Sequence, residues 1–113
     1  MTLTQMERRY QRLAARLAKL QVMVQGTITE RTIERDIDAV SGEKKVYGPY
    51  YQWTFKDKGK TVTVNLSPNQ AKEYQRAIDE HRKMESIVEE MRQLSRKILE
   101  MKTVGVKKRK RGE

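Results

Sequence analysis

Aromatic residues are concentrated in one short stretch of this chain. Five of the seven, Tyr47, Tyr50, Tyr51, Trp53 and Phe55, fall within nine positions. A lysine-rich turn follows at residues 56–60, and residues 61–66 then alternate between polar and apolar side chains and are mostly β-branched. Two β-prone runs joined by a short turn that contains glycine are typical of a β-hairpin, and this hairpin has a cationic tip.

Strand alternation separates the aromatic side chains of this hairpin from the polar ones. Tyr51, Trp53 and Phe55 share one face because side chains on a strand alternate with a period of two. We expect that face to pack in the core, with stacking on unpaired bases as the alternative. The opposite face carries Lys56, Thr61 and Thr63. It is either a solvated sheet face or a surface that enters the major groove of DNA.

The first segment of the chain has the apolar spacing of a helix that packs on another helix. Its apolar residues recur at intervals of three and four: Leu3, Met6, Tyr10, Leu13, Leu17, Leu20 and Val24. Such a seam must be buried against a second helix. Gly26 predicts the end of this helix, since glycine readily adopts the left-handed conformation that closes one.

A second, longer helix is predicted after the hairpin. Residues 67–70, Ser-Pro-Asn-Gln, have the features of a helix start, with a capping serine, a proline in the first turn and a glutamine that completes a capping box. An apolar repeat then continues to Met101. We predict that Met91, Leu94 and Ile98 of this helix pair with Leu13, Leu17 and Leu20 of the first. The surplus length of the second helix favours a homodimer.

The remaining segments complete an α+β fold. Residues 27–33 read as a strand, residues 36–45 as an exposed loop, and Gly48-Pro49 as the opening of the aromatic strand. The predicted architecture is an N-terminal helix, a small two- or three-stranded antiparallel sheet and a long C-terminal helix that pairs with the first. These elements form a single domain over residues 1–102, followed by a disordered basic tail at residues 103–113.

The charge balance points to an anionic partner. The formal net charge is +10, and 35% of the residues are charged, which favours nucleic acid or an anionic membrane surface. We favour nucleic acid, because the apolar seams are better explained by helix pairing than by a membrane. The candidate nucleic-acid-binding residues are Arg31, Lys56, Lys58, Lys60, Thr61 and Thr63, together with the tail residues Lys107, Lys108, Arg109, Lys110 and Arg111.

Several classes of function are disfavoured by what the sequence lacks. Cysteine is absent, and the single histidine, His81, lies on the seam of the second helix. No glycine-rich phosphate loop and no paired nucleophile and base are evident, so we predict no enzyme activity, no cofactor and no metal. The chain contains neither a membrane-length apolar run nor a signal-peptide core, which predicts a cytoplasmic protein without a membrane partner.

Three motifs carry a resemblance to a known family: Gly26-Thr27-Ile28, Gly48-Pro49-Tyr50-Tyr51 with Trp53-Thr54, and Gly59-Lys60-Thr61 with Val62-Thr63. With the long helix that follows, they resemble short prokaryotic proteins that are often encoded in mobile elements beside transposases. Many members of that family have a cysteine cluster before the Gly-Pro-Tyr-Tyr motif, whereas residues 36–45 here contain no cysteine. The resemblance implies DNA, or a DNA-bound transposase or nuclease, as the partner.

Two functional hypotheses follow from the sequence. The first is a non-catalytic nucleic-acid-binding accessory or regulatory protein of a mobile element. The second is a coiled-coil interaction module that dimerises or docks a larger nuclease or transposase. The choice between DNA and RNA, the sequence specificity, the oligomeric state and the order of the bound tail stay open at this level.

Overall fold

Two helices flank a three-stranded sheet in the chain order. The computed structural model of the protein describes residues 1–103. The elements are α1 (Leu3–Leu17), β1 (Thr27–Asp38), β2 (Glu43–Asp57), β3 (Lys60–Leu66) and α2 (Pro68–Lys102). The strands form one antiparallel sheet in the order β1-β2-β3. The predicted α+β class and element order are confirmed, and the sheet has three strands.

These elements divide into two compact units. The helix unit consists of residues Met1–Leu20 together with the described residues from Lys83 onward. The sheet unit is Gln21–Arg82. It therefore contains all three strands and the N-terminal part of α2, while the C-terminal part of α2 belongs to the helix unit.

The helix unit is built on the predicted apolar seams. Met6, Leu13, Ile87 and Leu94 form one buried cluster, against which Tyr10, Leu17, Met91 and Ile98 pack. The Nζ atom of Lys102 lies 3.1 Å from Oε1 of Glu7, so the start of α1 lies beside the end of α2. The two helices are therefore antiparallel, and their predicted pairing is confirmed.

The first helix ends earlier than the seam predicted. α1 stops at Leu17, and the N–H groups of Lys19 and Leu20 bond to carbonyls only three residues back, which tightens the last turn. Further on, the N–H of Val24 donates to the carbonyl of Ala77 at 3.2 Å. That bond to α2 replaces an intrahelical one, so the chain is not helical where the seam predicted a helix. The placement of Leu20 on the helical seam was therefore wrong.

The first hairpin is longer than predicted. Residues 36–45 were expected to form a loop, but β1 runs to Asp38 and β2 begins at Glu43, so that only residues 39–42 form the turn. The sequence of this part of the hairpin is mostly polar and lacks the apolar alternation that indicates a strand, so it resembles a loop. Cross-strand pairs such as Asp36 opposite Lys44 support it instead.

The sheet unit has its core between the aromatic face and the first turns of α2. Trp53 stacks on Phe55 at 4.0 Å between ring centroids and meets the Tyr74 ring edge-on at 4.9 Å. Leu66 and Ile78 are buried in the same unit. The predicted start of α2 is confirmed by its capping box, in which Ser67 and Gln70 exchange two hydrogen bonds between side chain and backbone.

Candidate nucleic-acid interface

Strand register determines which polar side chains share one face of the sheet. Residues directly opposite each other on antiparallel strands point to the same side. Thr54, for example, lies between Thr27 of β1 and Thr63 of β3. By this register one face carries Thr27, Thr29 and Arg31 of β1, Tyr50, Gln52, Thr54 and Lys56 of β2, and Thr61, Thr63 and Asn65 of β3. We call this the cationic face.

Cross-strand contacts hold the β2–β3 part of the cationic face in rows. The Gln52 amide donates to Asn65 at 3.2 Å, the hydroxyls of Thr54 and Thr63 are 3.4 Å apart, and Lys56 Nζ donates to Thr61 Oγ1 at 2.8 Å. The polar side chains are thus preorganised by one another, which lowers the entropy lost when a ligand binds.

A bulge in β2 extends the cationic face along the first hairpin. Between the pairs Arg31–Tyr50 and Ile33–Tyr47, β1 advances by two residues and β2 by three. The extra residue of β2 reverses its alternation there, as β-bulges do. Tyr47 therefore joins the cationic face instead of the aromatic one.

Gly48 makes the bulge possible. Its φ of +117° lies in the region that disfavours side chains. A Cβ at this position would lie 2.9 Å from the carbonyl oxygen of Arg31 and 3.3 Å from Cδ2 of Tyr50. The close approach of these two neighbours leaves room only for glycine. The structure therefore explains why the Gly-Pro-Tyr-Tyr motif begins with glycine.

Beyond the bulge, two cations flank an exposed tyrosine. The guanidinium carbon of Arg35 lies 5.9 Å, and Nζ of Lys45 lies 5.2 Å, from the centroid of the Tyr47 ring. Both distances are within the range of cation–π attraction. Arg35 and Lys45 are direct cross-strand neighbours, and like charges in that position destabilise a strand pair. An anion bound beside them would relieve this repulsion.

The two faces of the sheet differ sharply in charge. Arg31, Arg35, Lys45 and Lys56 are exposed on the cationic face with its extension past the bulge. Four strand carboxylates fall by register on the other face: Glu30, Glu34, Asp36 and Asp57, while a second register shift after Asp36 puts the pair Asp38–Glu43, at the end of the hairpin, on the same side as Lys45. The described ion pairs involve helical residues. Within residues 1–103, the four strand cations therefore face solvent without a carboxylate partner.

The structure brings together some of the predicted binding residues and separates others. Arg31, Lys56, Thr61 and Thr63 lie on the cationic face. Lys58 occupies the β2–β3 turn with a φ of +50°. Lys60 lies opposite Asp57, on the other face. The tail residues Lys107, Lys108, Arg109, Lys110 and Arg111 lie outside the described residues.

Three residues of this surface were missed by the sequence reasoning. Arg35 and Lys45 fell at or near the predicted loop, and Tyr47 was counted with the aromatic cluster without a place on either face. The glycine–proline pair at residues 48–49 was the available signal, because an isolated glycine within a strand pattern often marks a bulge.

The helix unit carries a second surface feature. A groove of about 740 Å³ runs beside the paired helices, and its apolar lining includes Tyr10, Ile98 and Leu99. Leu99 is 59% exposed. Arg8, Arg12, Glu7 and Lys102 lie around this apolar strip. Of the predicted seam residues, Leu13 and Leu94 are buried in the cluster, while Leu17, Met91 and Ile98 pack against it.

Arg9 and Glu90 form an ion pair between the two helices of the helix unit. Arg9 donates two hydrogen bonds to the carboxylate of Glu90, at 2.6 and 3.0 Å. These bonds lower the pKa of Glu90 from its ordinary value and raise that of Arg9. In the sheet unit, His81 is half-buried on α2. Within residues 1–103, no three acidic or histidine side chains are grouped so that they could hold a metal ion, and neither helix has a stretch apolar enough to cross a bilayer.

Comparison with known proteins identifies one family. A model described as a domain of unknown function (DUF6788) matches residues 3–76. The match begins with α1, includes all three strands and ends in the early turns of α2. No curated protein and no solved structure matches the chain.

Proposed function

This chain belongs to the family of the domain of unknown function DUF6788, and from the chemistry of its sheet we propose that it is a non-catalytic nucleic-acid-binding protein. The resemblance to proteins encoded beside transposases favours DNA over RNA. The observation that carries the proposal is the separation of charge between the two faces of the sheet. Arg31, Arg35, Lys45 and Lys56 share one exposed face, and Glu30, Glu34, Asp36 and Asp57 lie on the other.

A polyanion suits this surface better than a single small anion. Arg31 and Arg35 are four residues apart on β1, which corresponds to about 13 Å. The cations are therefore spread along the hairpin as phosphates are spread along a nucleic-acid backbone. Between them lie hydroxyl and amide groups of Thr29, Thr54 and Gln52, types of side chain that commonly contact phosphate and sugar.

The basic tail adds to this electrostatic attraction in our proposal. Residues 107–111 are all Lys or Arg. Such a run neutralises phosphates without regard to sequence, because binding releases condensed counterions. The sheet is then the part of the protein that orients the ligand, and the tail raises the affinity for any nucleic acid.

The absence of a catalytic role is also part of the proposal. The chain has one histidine and no cysteine, and these two residue types serve most often as general bases and strong nucleophiles. The resemblance to proteins encoded beside transposases supports a more specific role, that of an accessory or regulator of a mobile element. Genes next to the one for this chain that are unrelated to transposition would remove that part of the proposal.

Electrophoretic shift measurements with duplex DNA, single-stranded DNA and structured RNA at two salt concentrations test the proposal. We expect DNA to bind and the affinity to fall steeply with salt. The double variant Arg31→Gln with Lys56→Gln should weaken binding about tenfold at low salt. The matched control is Lys44→Gln with Lys60→Gln, which removes the same charge from the other face of the same sheet.

Equal losses in the two double variants would show that net charge alone drives binding and would refute a role for the cationic face. A clear preference for structured RNA would refute the choice of DNA. Because Lys60 lies on the other face, Lys58→Ala alone tests the hairpin tip, and an unchanged affinity in this variant would remove the tip from the interface.

The groove of the helix unit favours a second candidate function, a coiled-coil interaction module. Tyr10, Ile98 and Leu99 offer apolar surface there, and both Glu7 and Arg12 border it. A second copy of the chain related by a two-fold axis would place such opposite charges against each other. Light scattering should then report a dimer that Leu99→Glu converts to a monomer. A monomeric wild type would leave docking of a larger nuclease or transposase as the remaining form of this candidate.

A further inference from the structure

Two tyrosine rings are exposed on the cationic face among its positive charges. Tyr47 is 38% and Tyr50 is 47% exposed. Register places Tyr50 opposite Arg31, and Tyr47 lies beside both Arg35 and Lys45. The other aromatic residues of the sheet behave differently. Trp53 and Phe55 are half-buried and stack on each other in the core.

The bulge in β2 determines where the rings of Tyr47 and Tyr50 lie. Gly48 lies so close to Tyr50 that an added Cβ would come within 3.3 Å of the ring. The same bulge places Tyr47 with Arg35 on the cationic face rather than with Trp53 on the aromatic one. The fold therefore leaves two large rings in solvent next to cations.

A ring with a cation beside it matches the chemistry of an unpaired nucleotide. Base faces stack on aromatic side chains and on guanidinium planes, while phosphates bind the neighbouring cations. A duplex offers phosphates and base edges, but its base faces are covered by their neighbours. The rings of Tyr47 and Tyr50 can therefore stack on the bases of a single strand but not on the covered bases of a duplex.

We propose that the cationic face binds single-stranded nucleic acid, with bases stacked on Tyr47 and Tyr50 and phosphates held by Arg31, Arg35 and Lys45. This inference rests on the proposed function and specifies its ligand. The two tyrosines are three residues apart on β2, a separation of up to about 10 Å. That exceeds the 3.4 Å or so between stacked nucleotides of one strand. The bound strand is therefore extended, with a separate base at each ring.

A test with the wild-type full chain compares three fluorescently labelled ligands of equal length by anisotropy. They are oligothymidine, the same strand with abasic sites in place of its bases, and a duplex. We expect oligothymidine to bind about tenfold or more tightly than the abasic strand, because each stacked base contributes substantially. The abasic strand carries the same phosphates, so this difference isolates stacking from charge.

Substitutions at the rings provide the second measurement. Tyr47→Leu and Tyr50→Leu should each weaken binding to oligothymidine about tenfold and leave duplex binding within about twofold. Tyr47→Phe and Tyr50→Phe keep the ring and are the matched controls, with affinities close to wild type. Circular dichroism checks that each variant is folded. The abasic comparison needs no variant and stands if a leucine substitution prevents folding.

The outcomes separate this inference from the proposed function. Equal affinity for the abasic strand and oligothymidine would refute stacking, and tight binding to the duplex alone would refute the single-strand ligand, while DNA binding itself would stand. No binding to any of the three ligands would refute both. Loss of affinity in the phenylalanine variants equal to that in the leucine variants would show that the hydroxyls rather than the ring faces carry the contact.

Discussion

The indole nitrogen of Trp53 donates a hydrogen bond of 2.8 Å to the carbonyl oxygen of Gln25. This bond fixes the large side chain of β2 over the start of β1. Gly26 lies directly beneath it with a φ of +116°. A Cβ there would come within 2.5 Å of the Thr54 carbonyl oxygen and 2.6 Å of Trp53 Nε1. The packing of Trp53 thus depends on the absence of a side chain at residue 26.

Gly26→Ala should destabilise the sheet unit by about 2–4 kcal/mol, because the new side chain requires a strained φ and meets the backbone carbonyl of Thr54, which cannot move away cheaply. Gly42→Ala is the matched control. Its φ is +72°, and nothing lies within 4 Å of the added Cβ, so it should cost only about 1 kcal/mol. Urea unfolding followed by the fluorescence of Trp53, the single tryptophan, measures both. Similar losses in the two variants would contradict the close packing at Gly26.

Leu13 is the most deeply buried side chain of the helix unit, with no exposed surface. Leu13→Ala should lower the free energy of unfolding by about 2–5 kcal/mol, since it leaves a cavity between α1 and α2. The same substitution at Leu99, which is 59% exposed, should change it by less than about 1 kcal/mol. Denaturation monitored by circular dichroism compares the two, and a small effect at Leu13 would argue against the seam as the core of this unit.

The stability of the helix unit should depend on the protonation of Glu90. Hydrogen bonds from Arg9 lower the pKa of this carboxyl below 4.5 in the folded chain. The unfolded chain therefore binds the proton first as the pH falls, and the stabilisation is complete above about pH 4.5 and lost as the pH falls through the lowered value. Glu90→Gln should melt at a lower temperature than wild type at pH 7, and the difference should shrink towards zero in acid.

The control for this prediction is Glu89→Gln. Glu89 is 59% exposed and lies 3.6 Å from Arg92 one turn along the same helix. Exposed pairs of this kind contribute little, so melting temperatures should be close to wild type at both pH values. A Glu90→Gln difference that persisted unchanged at pH 3 would show that packing rather than the ion pair accounts for it.

The elements that depend on local interactions were predictable from the sequence. The Ser67–Gln70 capping box and the hairpin turn at Lys58 and Gly59 use only residues a few positions apart. The end of α1 was not predictable in this way. It is accompanied by a hydrogen bond from Val24 to Ala77, more than fifty residues along the chain, and nothing in the apolar repeat reports such a bond.

The candidate site was predicted only in part because its geometry depends on one extra residue. Simple alternation places Tyr47 with Tyr51 and Trp53 on the aromatic face. The bulge beside Gly48 reverses that assignment and adds Arg35 and Lys45 to the surface of Arg31. The strand beyond the bulge is polar on both faces, so its sequence resembles a loop. Register, which requires both strands, was the missing information.

The salt dependence of the binding affinity should report how many phosphates the cationic face neutralises. Arg31 and Arg35 are about 13 Å apart along β1, too far to share one phosphate. For a single strand each neutralised phosphate contributes about 0.7 to the slope of log affinity against log salt. Arg31→Gln with Arg35→Gln should therefore reduce the slope by about 1.4. Lys44→Gln with Lys60→Gln, on the other face, should leave it unchanged. Anisotropy titrations of oligothymidine between about 50 and 200 mM salt give both slopes, and parallel lines for wild type and the arginine variant would exclude direct phosphate contacts at these two residues.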